Sequence, residues 1–273
     1  MIQLCYCGNF AIFKGVLLSA LSVVKNTSEP IEILLCTMDL SECDEKYIPF
    51  SDAQVKVLEG VIKKKNPQSC VTVLDMTEHY NTYLKGKNHE NMYTPYAAIR
   101  LLLDKFETND KVIYLDTDVM CLKDIREFYD VDIENYEFGA VLDKMGHFWI
   151  NKTYCNSGVL LLNMKKIRET KLFERCIDLI KTKKMAFPDQ SALNDLAQNK
   201  LILPYKFNEQ RKIKEDTVFK HFCKGFYFVR GIPWLYNYKQ WQIEKIHKLK
   251  IHEFDDVYAE YEAIVNSSEE KLV

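Results

Sequence analysis

Asp116 and Asp118 stand one residue apart in VIYLDTDVMCL, residues 112–122, where an apolar run ends. In extended backbone, residues i and i+2 face the same side. The two carboxylates can therefore aim at one point while Thr117 faces away. Two ionised carboxylates sharing a site repel, so one takes up a proton or a cation joins them. Carboxylates suit Mg²⁺ or Mn²⁺, and an added imidazole leans toward Mn²⁺. The spacing alone decides little. The chain contains 18 Asp, so about one Asp-x-Asp pair is expected by chance. A second pair, Asp130 and Asp132, lies in the polar, acidic stretch YDVDIEN, where a solvated loop explains it. Context separates the two. Only the first pair follows a strand-like run and is followed by apolar residues. For that pair a metal site and a helix-capping turn both remain open.

The surrounding elements place the pair at a sheet rim. Ile2 to Cys7, IEILLCT (31–37), SCVTVLD (69–75), KVIYL (111–115), EFGAVLD (137–143) and SGVLLLNM (157–164) read as strands. Phe13 to Lys25 has helical apolar spacing, and Pro95 suits the first turn of a helix running to Leu103 or beyond. Lys165 to Lys181 reads as one long amphipathic helix and Asp189 to Ala197 as a shorter one. Val, Ile and Leu-rich strands alternating with helices predict an α/β fold with a mostly parallel sheet covered on both faces. In such sheets ligands gather beyond the carboxyl ends of the strands, which is where Asp116 follows Leu115. No repeat or Gly/Ser linker divides the chain, so residues 1–273 are expected to form one domain. An irregular C-terminal segment is expected from about Leu203, with residues 266–273 frayed.

Bulk properties exclude several classes. A formal net charge of -2 gives no global field for nucleic acid or an anionic membrane. Nine cysteines with no Cys-x-x-Cys pair argue against a zinc ribbon and a disulfide framework. Cys36, Cys70, Cys155 and Cys176 sit in apolar runs and read as small core residues. A reducing, cytoplasmic setting is the expectation. No signal peptide is read at the N-terminus, and the longest apolar stretch, Val16 to Val24, is too short to span a bilayer.

Several segments, in order, resemble glycosyltransferase family 8, the family of glycogenin and the bacterial lipopolysaccharide galactosyl- and glucosyltransferases. They are TPYAAIRLLL (94–103), VIYLDTDVMCLKDI, YCNSGVLLLNMKKIR (154–168), FPDQSALN (187–194), DTVFKHF (216–222) and YKQW (238–241). The resemblance implies a Rossmann-like nucleotide-sugar domain of the GT-A type. It implies transfer of a glucose or galactose from a UDP-sugar to a hydroxyl, with retained configuration, using Mn²⁺ or Mg²⁺. The acceptor would be a saccharide or glycolipid of a bacterial glycan. No nucleic-acid partner is implied, and peripheral contact with a membrane stays open.

The resemblance also assigns roles. Asp116, Asp118 and His221 would hold the metal. Arg100 and Lys239 would approach the donor's phosphates or sugar, and AAIRLLL places Arg100 within an apolar run, where a guanidinium needs partners. Thr117 would sit against the substrate between the metal ligands. Asn156 and Asp189 would hold sugar hydroxyls, Gln190 would lie near the reacting carbon, and Asp143 would face the sugar. Asn9 and Phe10 would lie at the uracil. His247 and His252 compete with His221 as ligands, but surface positions explain both. The chain departs from the family at its first strand end, where Cys7 and Gly8 precede Asn9, and at Lys239-Gln240-Trp241, where the family has Lys-Pro-Trp. Two other readings remain. A haloacid-dehalogenase-like phosphatase also starts from Asp-x-Asp, and a sugar-nucleotide-binding relic would lack turnover.

Overall fold

A computed structural model describes residues 1–86, 95–229, 232–268 and 272, with backbone only for 227–229 and 232–234. Its centre is a sheet of seven strands: β1 (Ile2–Cys7), β2 (Ile31–Thr37), β3 (Cys70–Asp75), β4 (Lys111–Leu115), then β6 (Phe138–Leu142), β7 (Cys155–Asn163) and β8 (Lys200–Leu203). Their spatial order is β3-β2-β1-β4-β7-β6-β8. β1 pairs in parallel with both β2 and β4, and β7 runs antiparallel to β4 and β6. Reversal of β7 alone leaves the sheet mostly parallel, as the strand composition predicts.

β1 is buried along its whole length because both faces are covered. Leu4 and Tyr6 join the core beneath helix Phe13–Asn26, with Leu17 and Leu21. Cys5 and Cys7 join the opposite core with Ile99, Leu102 and Leu103 of the 3₁₀-type helix Pro95–Lys105. Truncating a residue such as Leu102 to Ala should cost about 2–5 kcal/mol. The cysteines are all free; Cys36, Cys155 and Cys176 are buried, while Cys70 is half-buried on edge strand β3.

Three expectations need correction. The stretch 165–181 is two helices, Met164–Thr170 and Leu172–Thr182, broken at Lys171 with φ 54°. The break redirects the chain so that Phe173, Cys176, Ile177 and Ile180 bury in the core shared with helices Pro95–Lys105 and Pro188–Leu196. The chain beyond Leu203 is irregular as far as Val218, apart from the turn Tyr205–Phe207, and ordered into strands and helices after it. It forms a small two-stranded sheet, in which β5 (Val119–Cys121) pairs with β9 (Phe219–His221), and a hairpin of β10 (Gly225–Val229) and β11 (Ile232–Tyr236). Helices Ile243–Lys248 and Asp255–Ser267 follow. Nor is the whole tail frayed. Leu272 is buried, and its carbonyl accepts from Gln54 Nε2 at 2.7 Å. Gln54 is itself fixed by a reciprocal cap with Ser51 at the start of helix Asp52–Lys65.

Candidate active site

β4 ends at Leu115 and the chain turns at once, with Val119 N donating to Asp116 O at 3.1 Å. Helix Phe13–Asn26 packs hard on this turn. A Cβ on Gly15 would lie 2.5 Å from Thr117 O, so only glycine allows the approach. From the other side, Gln240 Nε2 donates to Thr117 O at 2.6 Å. The turn is gripped through its middle residue, and both aspartates are left facing the opposite way.

Strand pairing supplies the imidazole. In the β5–β9 ladder Val119 sits opposite His221. His221 Nε2 lies 3.1 Å from Asp118 Oδ1 and 3.9 Å from Asp116 Oδ2. His221 Nδ1 lies 3.2 Å from Asn208 Oδ1. The amide nitrogen of Asn208 already donates to Asn156 Oδ1, so Asn208 Oδ1 faces the ring as an acceptor. That bond places a hydrogen on Nδ1 and turns Nε2 toward the two carboxylates. The three ligand atoms lie within 4.8 Å of one another. Two carboxylates and an oriented imidazole fit a divalent metal ion. Gly158 is part of the fit, because a Cβ there would fall 2.2 Å from His221 Cε1 and 2.8 Å from Asp116 Oδ2.

Cations brace the carboxylates. Arg100 is 2% exposed. Its guanidinium reaches Asp116 Oδ1 at 3.0 Å and Asp189 Oδ2 at 3.3 Å. It also donates to the Ala97 and Ser157 carbonyls and stacks 3.9 Å from the centre of the Tyr114 ring. Burial works against its charge, but Tyr114, Asp116 and Asp189 outweigh that and hold it firmly protonated. Tyr114 donates to Asp116 Oδ1 at 2.7 Å. The Lys239 ammonium pairs with Asp118 Oδ2 and donates to Phe222 O. Burial alone would raise the Asp118 carboxyl, yet His221 and Lys239 together hold it well below the usual carboxylate range. At Asp189 burial prevails over Arg100, and the carboxyl is pushed up.

The remaining residues form the wall of a cleft of about 610 Å³. Asp143 accepts from the Met145 and Gly146 amides through Oδ1 and from Asn156 Nδ2 through Oδ2. Gln190 Oε1 accepts from Ser157 N at 2.9 Å and Ser157 Oγ at 3.2 Å. Arg100, Asp116, Asp118, Asp143, Asn156, Asp189, Gln190, His221 and Lys239 all line this cleft; Asn9, Phe10 and Thr117 do not. Asn9 spends its side-chain amide on Lys46 O at 3.1 Å, and Phe10 N bonds Ile48 O, so both residues anchor the 46–48 loop. Thr117 has its Cβ against Gly15 of helix Phe13–Asn26, and its carbonyl accepts from Gln240.

Sequence reasoning missed Asn208, Tyr114, Ser157 and Lys220. Lys220 is 1% exposed and spends its ammonium on the carbonyls of Glu209, Arg211 and His221. Burial pushes it down to about 8. Tyr114 alone carried a signal: a hydroxyl two residues before Asp116 on the same strand shares its side.

The sequence pattern of glycosyl transferase family 8 matches residues 1–226. The chain belongs to glycosyltransferase family 8. A lipopolysaccharide 1,2-glucosyltransferase of Escherichia coli is 28% identical over 173 residues, 51% of each chain. A lipopolysaccharide 1,3-galactosyltransferase of Salmonella typhimurium is 25% identical over 220 residues, 70% of this chain and 64% of its own. These matches span half to two thirds of those relatives' lengths. The galactosyltransferase LgtC, solved in complex with donor and acceptor sugar analogs, superimposes with a TM-score of 0.63 at 18% identity, covering 81% of this chain and 87% of LgtC. The fold is therefore the GT-A fold that LgtC shares. Among the described residues no helix is long and apolar enough to cross a membrane.

Proposed function

We propose that this family 8 chain transfers a hexose, glucose or galactose, from a UDP-sugar to a hydroxyl of a saccharide or glycolipid, with retained configuration. The observation that carries the reading is the convergence of Asp116, Asp118 and the oriented Nε2 of His221 at one point of the cleft. When bound there, Mn²⁺ supplies Lewis-acid stabilisation of the charge that builds on the departing diphosphate. Lys239 adds a second positive charge at the same carboxylates, as a point charge. Arg100 fixes Asp116 and Asp189 relative to each other, so that a metal ligand and a sugar-binding carboxylate keep one geometry. Asn156 and Asp143, bonded to each other, offer polar groups to the hexose and the incoming hydroxyl.

Gln190 Oε1 is neutral and already accepts two bonds from Ser157, which disfavours it as a covalent nucleophile. The reading therefore takes same-face return through an oxocarbenium-like state, with the Gln190 dipole stabilising positive charge at the reacting carbon. The phosphatase alternative rested on Asp-x-Asp alone. It places that motif near the N-terminus, whereas here it is mid-chain within a stretch, residues 1–226, that matches a glycosyltransferase family.

The test is UDP release from UDP-glucose and UDP-galactose, with and without Mn²⁺. The reading expects metal-dependent release from one donor, accelerated by a saccharide acceptor. Phosphate release from a sugar phosphate, or tight UDP binding without turnover, would overturn it.

A further inference from the structure

His247 and His252 looked like unrelated surface residues in KIHKLKIHEF, yet the fold brings them onto one carboxylate. His247 lies in helix Ile243–Lys248, His252 in the connection that follows, and Asp255 begins helix Asp255–Ser267. The connection reverses through Lys250, which adopts φ 59° and whose amide bonds His247 O at 2.8 Å. His247 Nε2 then lies 2.8 Å from Asp255 Oδ1, and His252 Nδ1 lies 3.0 Å from Asp255 Oδ2. The two rings stack at 5.2 Å with 20° between their planes. Tyr258 packs edge-on against His247 at 6.1 Å and limits its rotation.

We propose that His247, His252 and Asp255 form a second metal site, at the surface and separate from the cleft, selective for a borderline ion such as Zn²⁺. Its ligand atoms lie within 4.8 Å of one another. Each histidine already presents to Asp255 the nitrogen that a metal would take. Two imidazoles with one carboxylate suit Zn²⁺, Ni²⁺ or Cu²⁺ rather than Mg²⁺ or Ca²⁺, and three protein ligands leave a fourth position for water. No residue of this set lines the cleft. A bound ion would staple the two C-terminal helices together. The first of these follows directly on the Lys239–Trp241 segment. The second is tied to helix Phe13–Asn26 through the Lys25–Asp256 ion pair. The site thus acts on stability and leaves the chemistry of the cleft alone.

The test is calorimetric titration of the full chain with Zn²⁺ alone, comparing wild type with His252→Gln. His252 is exposed and its substitution leaves the core intact. The variant should bind one Zn²⁺ fewer per chain. At hundredfold excess over the dissociation constant, its thermal midpoint should rise by about 5 °C less than that of wild type. Mn²⁺-dependent UDP release should be the same in both proteins. Equal Zn²⁺ stoichiometry with equal thermal shifts would overturn the site, and a loss of UDP release in His252→Gln would overturn its independence from the cleft.

Discussion

The chain contains two Asp-x-Asp pairs with opposite surroundings. Asp130 pairs with Arg126 one helical turn away at 2.9 Å, and its side chain is 52% exposed. Asp132 accepts from the Glu134 amide. Every one of these partners is local. Asp118, with a side chain 12% exposed, meets Lys239 across 121 residues of sequence and His221 across the β5–β9 ladder. Asp116 is held by Arg100 and by Tyr114 on its own strand. An exposed pair one helical turn apart is worth about 0.3–0.5 kcal/mol. A buried, multiply paired carboxylate is costly to leave unpaired. Spacing does not make a site. What makes one is a set of distant elements that spend buried charge on the same two residues.

That contrast can be broken by substitution. Asp118→Ala should have the largest effect, a loss of at least about 100-fold in Mn²⁺-dependent UDP release. It should also remove any joint stabilisation by UDP and Mn²⁺ in a thermal scan. Arg100→Gln comes next. It leaves Asp116 and Asp189 without their shared cation and should cost about 3–5 kcal/mol in denaturant unfolding. Asn208→Ala frees the His221 ring and should weaken Mn²⁺ binding about 10–100-fold by calorimetry, with a cost of about 1–3 kcal/mol in unfolding for the buried partners it leaves unpaired.

Acidification sharpens the comparison without a metal. The folded Asp118 carboxyl is held low, so its stabilising contribution is present above the unfolded value near 3.9 and is lost as pH falls through the folded one. The stability gap between wild type and Asp118→Asn in EDTA should therefore be full at neutral pH and narrow below about pH 4. The smallest effect belongs to the double variant Asp130→Asn, Asp132→Asn. It should move stability by no more than about 0.5 kcal/mol and leave metal dependence unchanged.

The sheet was legible because its strands are short apolar runs bounded by turn residues, so IEILLCT and KVIYL could be read to their ends. The placing of Asp116 beyond a strand end was legible for the same reason. Other features carried no local signal. Lys171 breaks a helix although lysine has no preference for the left-handed region, because tertiary packing of Phe173 and Ile177 decides the direction there. Asn208 orients His221 from thirteen residues away, within an unremarkable FNEQ. Asn9 and Phe10 follow a strand end, and the bonds that fix them there, from the Asn9 amide to Lys46 O and from the Phe10 backbone to Ile48 O, carried no local signal. Resemblance carries residue types, while hydrogen-bond bookkeeping needs the folded chain.

The central claim is tested most directly by titrating Mn²⁺ calorimetrically, in the presence of UDP, into wild type, Asp118→Ala and the Asp130→Asn, Asp132→Asn double variant. One saturable site in wild type and in the double variant, absent in Asp118→Ala, is the predicted result. Undiminished Mn²⁺ binding in Asp118→Ala would contradict it.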